Sequence, residues 1–507
     1  RSTPASASRY NVPSASVADP ASGSGILLSQ GSGTSEVRKL SGIGSVVYTL
    51  LDRYTINGTV NYEGNSSISR AHRWGIFPAV GVSWQFADEP FMKWSKDVLT
   101  EWKWRLSYGE SGNTPSGTSP YVGTYVSEGM YMEGNAVTAS TMQLNNLKWE
   151  RSTEWNFGFD FNLWNGKLTG SFDYYNKKTN DLLQKDYVVS SYLGYTNHEL
   201  KYYNAGSLRN KGVEFRADWQ ALDTKDWKLK VNFNISHNEN EILSMPGYSE
   251  ENYSFENGEY AMRIVRGTSV GSFFGYKYLG VYQNTEDTYA KDAEGNVMHD
   301  LQGNPVIMSN GTYRCYPGDA KYEDLNKDGK IDKNDITYIG NSNPQLQGGG
   351  GFNLRYKNWS LTVFMHYRLG QKIVNRARMN AESMIGSDNQ STAVLRRWRN
   401  EGDQTDIPRA LWDYGLNYLG SDRFVEDCSF LRLKTLSLSY NLPKTFCQNL
   451  GLTSANVYIT GYDLFTITNY TGQDPEVNLP SNVTDLAEDN SQTPRSRRVA
   501  MGVTINF

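Results

Sequence analysis

The stretch Trp155-Asn-Phe-Gly-Phe-Asp-Phe-Asn-Leu163 decides how the rest of the chain is read. Its apolar side chains fall at every second position, with Asn, Gly and Asp between them. Side chains alternate across a β-strand, so one face of this segment is aromatic and the other polar. Asn165-Gly166 follows almost at once. Both residues tolerate positive φ, which the two central positions of a type I′ hairpin turn demand. The chain then returns with Leu168, Gly170, Phe172 and Tyr174 on one face and Lys167, Thr169, Ser171 and Asp173 on the other.

The same hairpin pattern recurs further along the chain. Val213, Phe215, Ala217 and Trp219 alternate with polar residues; Trp227, Leu229, Val231, Phe233 and Ile235 come back after a turn at 222–226. Phe352 to Tyr356 turns at Lys357-Asn358 into Trp359, Leu361, Val363, Met365 and Tyr367. The chain ends on Val499, Met501, Val503, Ile505 and Phe507. One strand changes register: Leu431 and Leu433 share a face, as do Leu436, Leu438 and Tyr440, so a β-bulge is expected near Lys434-Thr435.

Composition agrees with a large all-β protein. Of 507 residues, 47 are Gly, 34 Tyr, 19 Phe and 13 Trp, and only 21% are charged. That aromatic content excludes long disorder over most of the chain. No run of apolar residues reaches the roughly 18 needed for a membrane helix, so a helical membrane protein is excluded. A net charge of −4 offers no broad basic surface, so no nucleic-acid partner is expected. The cysteines Cys315, Cys428 and Cys447 allow at most one internal disulfide, and the five histidines are scattered.

Connection lengths sharpen the reading. Short links (52–53, 165–166, 222–226, 357–358) alternate with long ones (110–152, 182–210, 240–345, 370–423, 468–495). Transmembrane barrels segregate short periplasmic turns from long outer loops in this way. A large soluble sandwich or propeller also has alternating strands, but no 40–50-residue repeat supports a propeller. Thirteen spanning strands are expected, near 42–51, 54–63, 74–86, 101–109, 153–164, 167–181, 211–221, 227–239, 346–356, 359–369, 424–442, 456–467 and 496–507. Residues 262–283 also look strand-like. A span there would put every later turn on the wrong side, so they are assigned to the outer loop 240–345.

Several short motifs, in order, resemble a known family. They are Arg53-Tyr-Thr-Ile-Asn-Gly-Thr-Val-Asn-Tyr-Glu-Gly-Asn-Ser-Ser67, Gly75-Ile-Phe-Pro78, Ser83-Trp84, Glu89-Pro-Phe91 and Trp104-Arg-Leu-Ser-Tyr-Gly-Glu-Ser-Gly-Asn113. Then come Asn204-Ala-Gly-Ser207, Asn210-Lys-Gly-Val-Glu214, Gly275-Tyr-Lys-Tyr-Leu-Gly280, Phe430-Leu-Arg-Leu433 and Tyr470-Thr-Gly-Gln-Asp-Pro-Glu476. From about Leu40 to Phe507 the chain resembles the C-terminal part of SusC-like TonB-dependent outer-membrane transporters of Bacteroidetes. The one modest departure is Glu and Asn in 62–67, where the family often reads Asp-Gly-Ser-Ser.

That resemblance implies a 22-stranded transmembrane antiparallel β-barrel with an N-terminal plug. Thirteen strands here would leave nine upstream, with the plug and TonB contact on the same missing part. The chain begins without Met and without a signal peptide, so a fragment of a longer protein is expected. Residues 1–39 would be an outer-loop segment and 40–507 the C-terminal barrel part. The resemblance further implies an outer-membrane location, a SusD-like surface lipoprotein as lid, and paired SusC/SusD complexes. Oligosaccharide is the implied cargo, with peptide as the alternative; a non-transporting glycan-binding barrel is the other reading. Gly502, Ile505 and Phe507 resemble the C-terminal assembly signal of outer-membrane proteins.

Two sets of residues suggest sites. In Asp324-Leu-Asn-Lys-Asp-Gly-Lys-Ile-Asp-Lys-Asn-Asp335, oxygen ligands stand at loop positions 1, 3, 5, 9 and 12 (Asp324, Asn326, Asp328, Asp332, Asp335). Gly329 is at position 6 and the Lys330 carbonyl at 7, the spacing of a Ca2+ loop. No flanking helices are expected, Asp at position 12 is a short ligand, and the alternative is a bare polar turn. The aromatics Trp412, Tyr414, Tyr418, Tyr121, Tyr125, Tyr131 and Tyr195 fall in long loops, where flat rings stack on sugars or simply pack. Enzyme signatures are missing: no G-x-S-x-G, Walker A or HExxH occurs. Gly348 to Gly351 lacks the Lys-Ser/Thr of a phosphate loop and reads as smooth barrel wall.

Overall fold

The computed structural model describes residues 5–9, 27–32, 36–117, 120–131, 134–184, 187–188, 199–200, 202–245, 260, 265–476 and 487–507. Thirteen strands form one antiparallel sheet. They are β1 (Lys39–Leu50), β2 (Tyr54–Asn65), β3 (Trp74–Gln85), β4 (Leu99–Asn113), β5 (Glu150–Leu163), β6 (Leu168–Asn180) and β7 (Ser207–Asp223). The series continues with β8 (Trp227–Ser244), β9 (Leu346–Tyr356), β10 (Trp359–Leu369), β11 (Phe430–Asn441), β12 (Ser454–Thr468) and β13 (Arg498–Asn506). Each pairs only with its neighbours in sequence, and the sheet is open, with β1 and β13 at its edges. Among the described residues no helix is long and apolar enough to cross a membrane.

Each expected strand has its counterpart, and the turns form as the local residues require. Asn165 (φ 53°) and Gly166 (φ 86°) are both left-handed, and the Lys167 N–H reaches the Trp164 carbonyl at 3.4 Å. The bulge lies at Lys434: Leu433 and Thr435 pair with Phe465 and Tyr462, and the ladder slips between them. Residues 272–275 and 278–281 do form strands, but these pair with 337–341 and 320–322 inside the loop. One boundary is corrected. The strand expected over 424–442 begins at Phe430, because Val425–Asp427 pairs separately with Lys372–Val374. The Asp427 carboxylate accepts the Ser429 N–H at 2.7 Å and turns the chain between them.

Register carries the apolar residues from strand to strand on one face. Leu50, Tyr54, Trp84, Trp104, Phe159, Phe172, Phe215 and Ile235 stand side by side from β1 to β8. The row goes on through Gly348, Tyr367, Leu431 and Ile467. Aromatic pairs gather at both ends of this belt: Trp227–Tyr356 (4.3 Å) and Trp359–Tyr440 (4.7 Å) at one, Tyr62–Trp74 and Tyr108–Trp155 (both 4.8 Å) at the other. The adjacent row on the opposite face reads Lys103, Asp160, Ser171, Arg216, Asn234, Gly349, His366 and Arg432. The belt is solvent-exposed in the isolated chain; Ile43, Val46 and Met501 are each 70% or more exposed.

The glycine run sits in β9 where neighbours leave no room. A Cβ on Gly348 would lie 2.1 Å from the Asn234 carbonyl oxygen, and one on Gly351 2.1 Å from that of Val363. The Tyr367 hydroxyl crosses Gly348 and donates to the Asn234 carbonyl at 3.2 Å.

Candidate functional site

The buried core of the chain lies in its long connections rather than in the sheet. Residues 265–345 and 370–429 interleave, and 487–489 joins them. Phe274, Tyr276, Tyr282, Tyr322, Ile331 and Leu416 lie in one buried cluster; Phe273, Val374, Met379, Tyr418 and Phe424 lie in a second. Cross-links between distant segments hold them. The Tyr322 hydroxyl donates to the Leu416 carbonyl at 2.9 Å, Arg409 pairs with buried Asp319 at 2.7 Å, and the Val374 N–H reaches the Ala487 carbonyl at 3.0 Å. Cys315, Cys428 and Cys447 are free and buried. Burial pushes the Cys315 and Cys428 thiols up to about 12.

Two charged knots tie strands and loops together. On the polar face Arg105 holds Asp160 (2.9 Å) and Asp173 (3.0 Å), spanning β4, β5 and β6. Arg432 of β11 is 2% exposed. Its guanidinium donates to Thr466 (2.9 Å), Glu476 (2.9 Å) and Asp474, and Lys434 reaches Glu476 at 3.0 Å. Burial pushes Asp474 up, but the Glu476 N–H and the Arg432 guanidinium outweigh it, leaving the carboxyl below its usual range. The motifs 430–433 and 470–476 therefore meet in space. Nothing in the sequence itself pairs the two motifs.

A polar cavity of about 430 Å³ opens at the upper end of β8. Asn238, Asn240, Thr268, Ser269, Asn341 and Gln345 line it, together with His237, Glu239 and Tyr338. Glu239 is paired with Lys211 at 3.0 Å. No sequence signal singled out this site, because its amides and hydroxyls come from three separate segments, 237–240, 267–269 and 338–345.

The expected loop aromatics divide by environment. Trp412 and Tyr125 are 69% and 73% exposed. Tyr414 stacks on Tyr313 at 4.4 Å and donates to the Asn310 carbonyl, and Tyr121 accepts from Arg73 at 3.0 Å. Tyr418 is corrected from a ligand face to a core residue: it is 7% exposed and bonds Asn380. Tyr195 and the Tyr131 side chain lie outside the described residues.

The Asp324–Asp335 loop turns its oxygens onto its own backbone. Asp324 accepts the Gly329 N–H at 2.9 Å, Asp328 that of Lys330 at 2.9 Å and Asp332 that of Asn334 at 2.8 Å. Asp335 is fully buried and accepts the N–H groups of Leu325 and Asp332, both at 2.8 Å. Burial raises the Asp335 carboxyl, and repulsion from Asp324 and Asp332 adds to it. Among the described residues no three His, Cys, Asp or Glu side chains converge as metal ligands. At the C-terminus Gly502 lies beneath the Tyr458 ring, while Ile505 (47% exposed) and Phe507 (90%) stay open.

Comparison with known proteins assigns the two faces. Residues 5–305 match the family described as TonB dependent receptor-like, beta-barrel. The chain belongs to the TonB-dependent receptor family. It is 31% identical over 500 residues to TonB-dependent receptor P3 of Formosa agariphila, covering 96% of this chain and 47% of that protein. It is 29% identical over 487 residues to TonB-dependent receptor SusC of Bacteroides thetaiotaomicron, covering 92% and 44%. The RagAB peptide transporter structure superposes with a TM-score of 0.74 at 23% identity, over 94% of this chain and 48% of that one. The chain thus spans about half the length of the curated relatives it matches and is SusC-like. In this outer-membrane family the apolar belt faces lipid, its aromatic rows mark the two interfaces, and the polar face lines the lumen.

Proposed function

We propose that this chain belongs to an outer-membrane importer of oligosaccharides energised through TonB, with a SusD-like lipoprotein as lid and two such complexes paired. The observation that carries the cargo class is the cavity above β8. Amides and hydroxyls with a single paired carboxylate suit a neutral, hydroxyl-rich ligand, and the Tyr338 ring offers a stacking face. Exposed Trp412 and Tyr125 add further flat surfaces. Peptide is the second reading, favoured by the structural likeness to the RagAB peptide transporter. Import rather than display requires the plug and TonB contact of the complete protein. Uptake of labelled oligosaccharide and labelled peptide by cells carrying or lacking the full-length gene separates the readings. Loss of oligosaccharide uptake alone, reduced also by Tyr338→Ala, is expected. Loss of peptide uptake alone assigns peptide, and surface binding without uptake assigns a non-transporting barrel.

We also propose that Ca2+ binds the 324–335 loop. The ligand spacing along 324–335 supports it. Ca2+ should raise the apparent Tm of the wild type and leave Asp324→Ala/Asp328→Ala unchanged. If EDTA and Ca2+ give the wild type the same melting curve, the loop is a self-capped turn. The C-terminal strand with Ile505 and Phe507 is proposed as the assembly signal; deleting Phe507 should lower the folded fraction delivered to the outer membrane.

A further inference from the structure

The connection between β3 and β4, residues 86–98, differs from the other periplasmic turns near it. The turns at 51–53 and 164–167 simply reverse the chain, whereas 86–98 builds two short helical turns, Phe86–Asp88 and Pro90–Ser95. Glu89 stands between them and is 6% exposed. Its carboxylate accepts from Arg53 (3.0 Å), from the Trp84 indole N–H (3.0 Å) and from the Tyr54 hydroxyl. Tyr54 and Trp84 belong to the apolar row, beside Trp104 and Phe159. Phe86 extends the same face, edge-on to Trp84 at 5.1 Å, and Phe91 packs edge-on to Phe86 at 5.8 Å. The turn is therefore folded back against the lipid side of the wall, not under the lumen. From there it holds Phe91 (60% exposed), Trp94 (80%) and Val98 (49%) outward. Lys96 is tied to Asp88 at 2.5 Å, and Lys93 sits in the same helical turn as Trp94.

We propose that this turn is a foot seated in the headgroup layer of the inner phospholipid leaflet, with Phe91 and Trp94 as its wedge. Continuity with the lipid-facing belt commits the occupant to lipid. The exposed rings sit below girdle residues whose other faces already meet the bilayer. Trp is favoured at this depth because its ring is apolar while its N–H reaches the ester and phosphate oxygens. Lys93 places a cation where phosphate groups lie. Glu89 is the pin that fixes the foot to the wall, since its three donors come from β2 (Tyr54), β3 (Trp84) and the turn between β1 and β2 (Arg53).

The test uses the full-length protein in vesicles of phosphatidylethanolamine and phosphatidylglycerol. A spin label on Trp94→Cys is compared with one on Lys225→Cys, in the turn 224–226. The three thiols of this chain are buried, and unsubstituted full-length protein sets the thiol background. Oxygen should collide with the label at 94 several-fold more, relative to a water-soluble nickel chelate, than with the label at 225. Equal chelate access at the two positions overturns the proposal. Exclusion of both oxygen and chelate at 94 overturns it in favour of a protein cover. Phe91→Cys gives an independent reading should Trp94→Cys fail to assemble.

Discussion

Gly351 shows how much a single missing side chain sets in this wall. A Cβ there meets the Val363 carbonyl oxygen at 2.1 Å, and backbone cannot swing aside as a side chain would. Gly351→Val should destabilise by about 1–3 kcal/mol, the usual range for overpacking. Gly58→Val is the control, because nothing lies within 4 Å of its Cβ position. The check is the apparent Tm followed by heat-dependent gel mobility; equal shifts in both variants would refute the steric account. Arg432 is the opposite case, a large side chain that leaves no space unused. Its removal strands Asp474, whose side chain is under 10% exposed, without its cation, and leaves Glu476 with Lys434 and Arg495 alone. Arg432→Met should cost about 3–5 kcal/mol locally, because an uncompensated buried charge is left behind. Faster proteolysis within 469–497 is the expected readout, and neutralising both carboxylates in the same background should restore part of the protection.

At the scale of elements, the strands take their form from local pattern, while the loops depend on partners far along the chain. The segment 470–476 is held to β11 by charges, so its stability should follow pH. Asp474 has a folded pKa below its unfolded value. Its contribution is therefore present above the ordinary Asp range near 4 and is lost as pH falls through the lowered folded value. Hydrogen exchange of the Glu476 amide, which the Asp474 carboxylate accepts at 2.9 Å, should accelerate beyond its intrinsic acid dependence between about pH 5 and about pH 3. Arg432→Met should flatten that response. An unchanged pH dependence in the variant would show that the knot does not hold the segment. The two helical turns at 86–98 and the helix Lys444–Asn449 interrupt the otherwise short periplasmic side. Connection length alone did not anticipate them, since Pro90 and Pro443 at helix starts are weak signals.

For the whole molecule, period-two alternation was legible because it depends on nothing beyond the strand. Each side chain's face follows from the parity of its position, and the Gly- and Asn-rich turns fix where parity restarts. That is why the sequence by itself determined thirteen strands, their order, the apolar and polar faces and the bulge at Lys434. It also separated 272–281 from the spans, by topology rather than by composition. The family motifs named the architecture, yet their purpose stayed hidden until the fold joined them: Arg53 to Glu89, Arg105 to Asp160 and Asp173, Arg432 to Asp474. Only the tertiary structure decided that Tyr418 is core while Trp412 is open, that amides and hydroxyls from three segments share one cavity, and that the 86–98 turn lies on the lipid side. The physical reason is reach. Strand faces are set by neighbours one or two residues away, whereas Arg432 and Asp474 are 42 positions apart and meet only because the loop folds back over the strand.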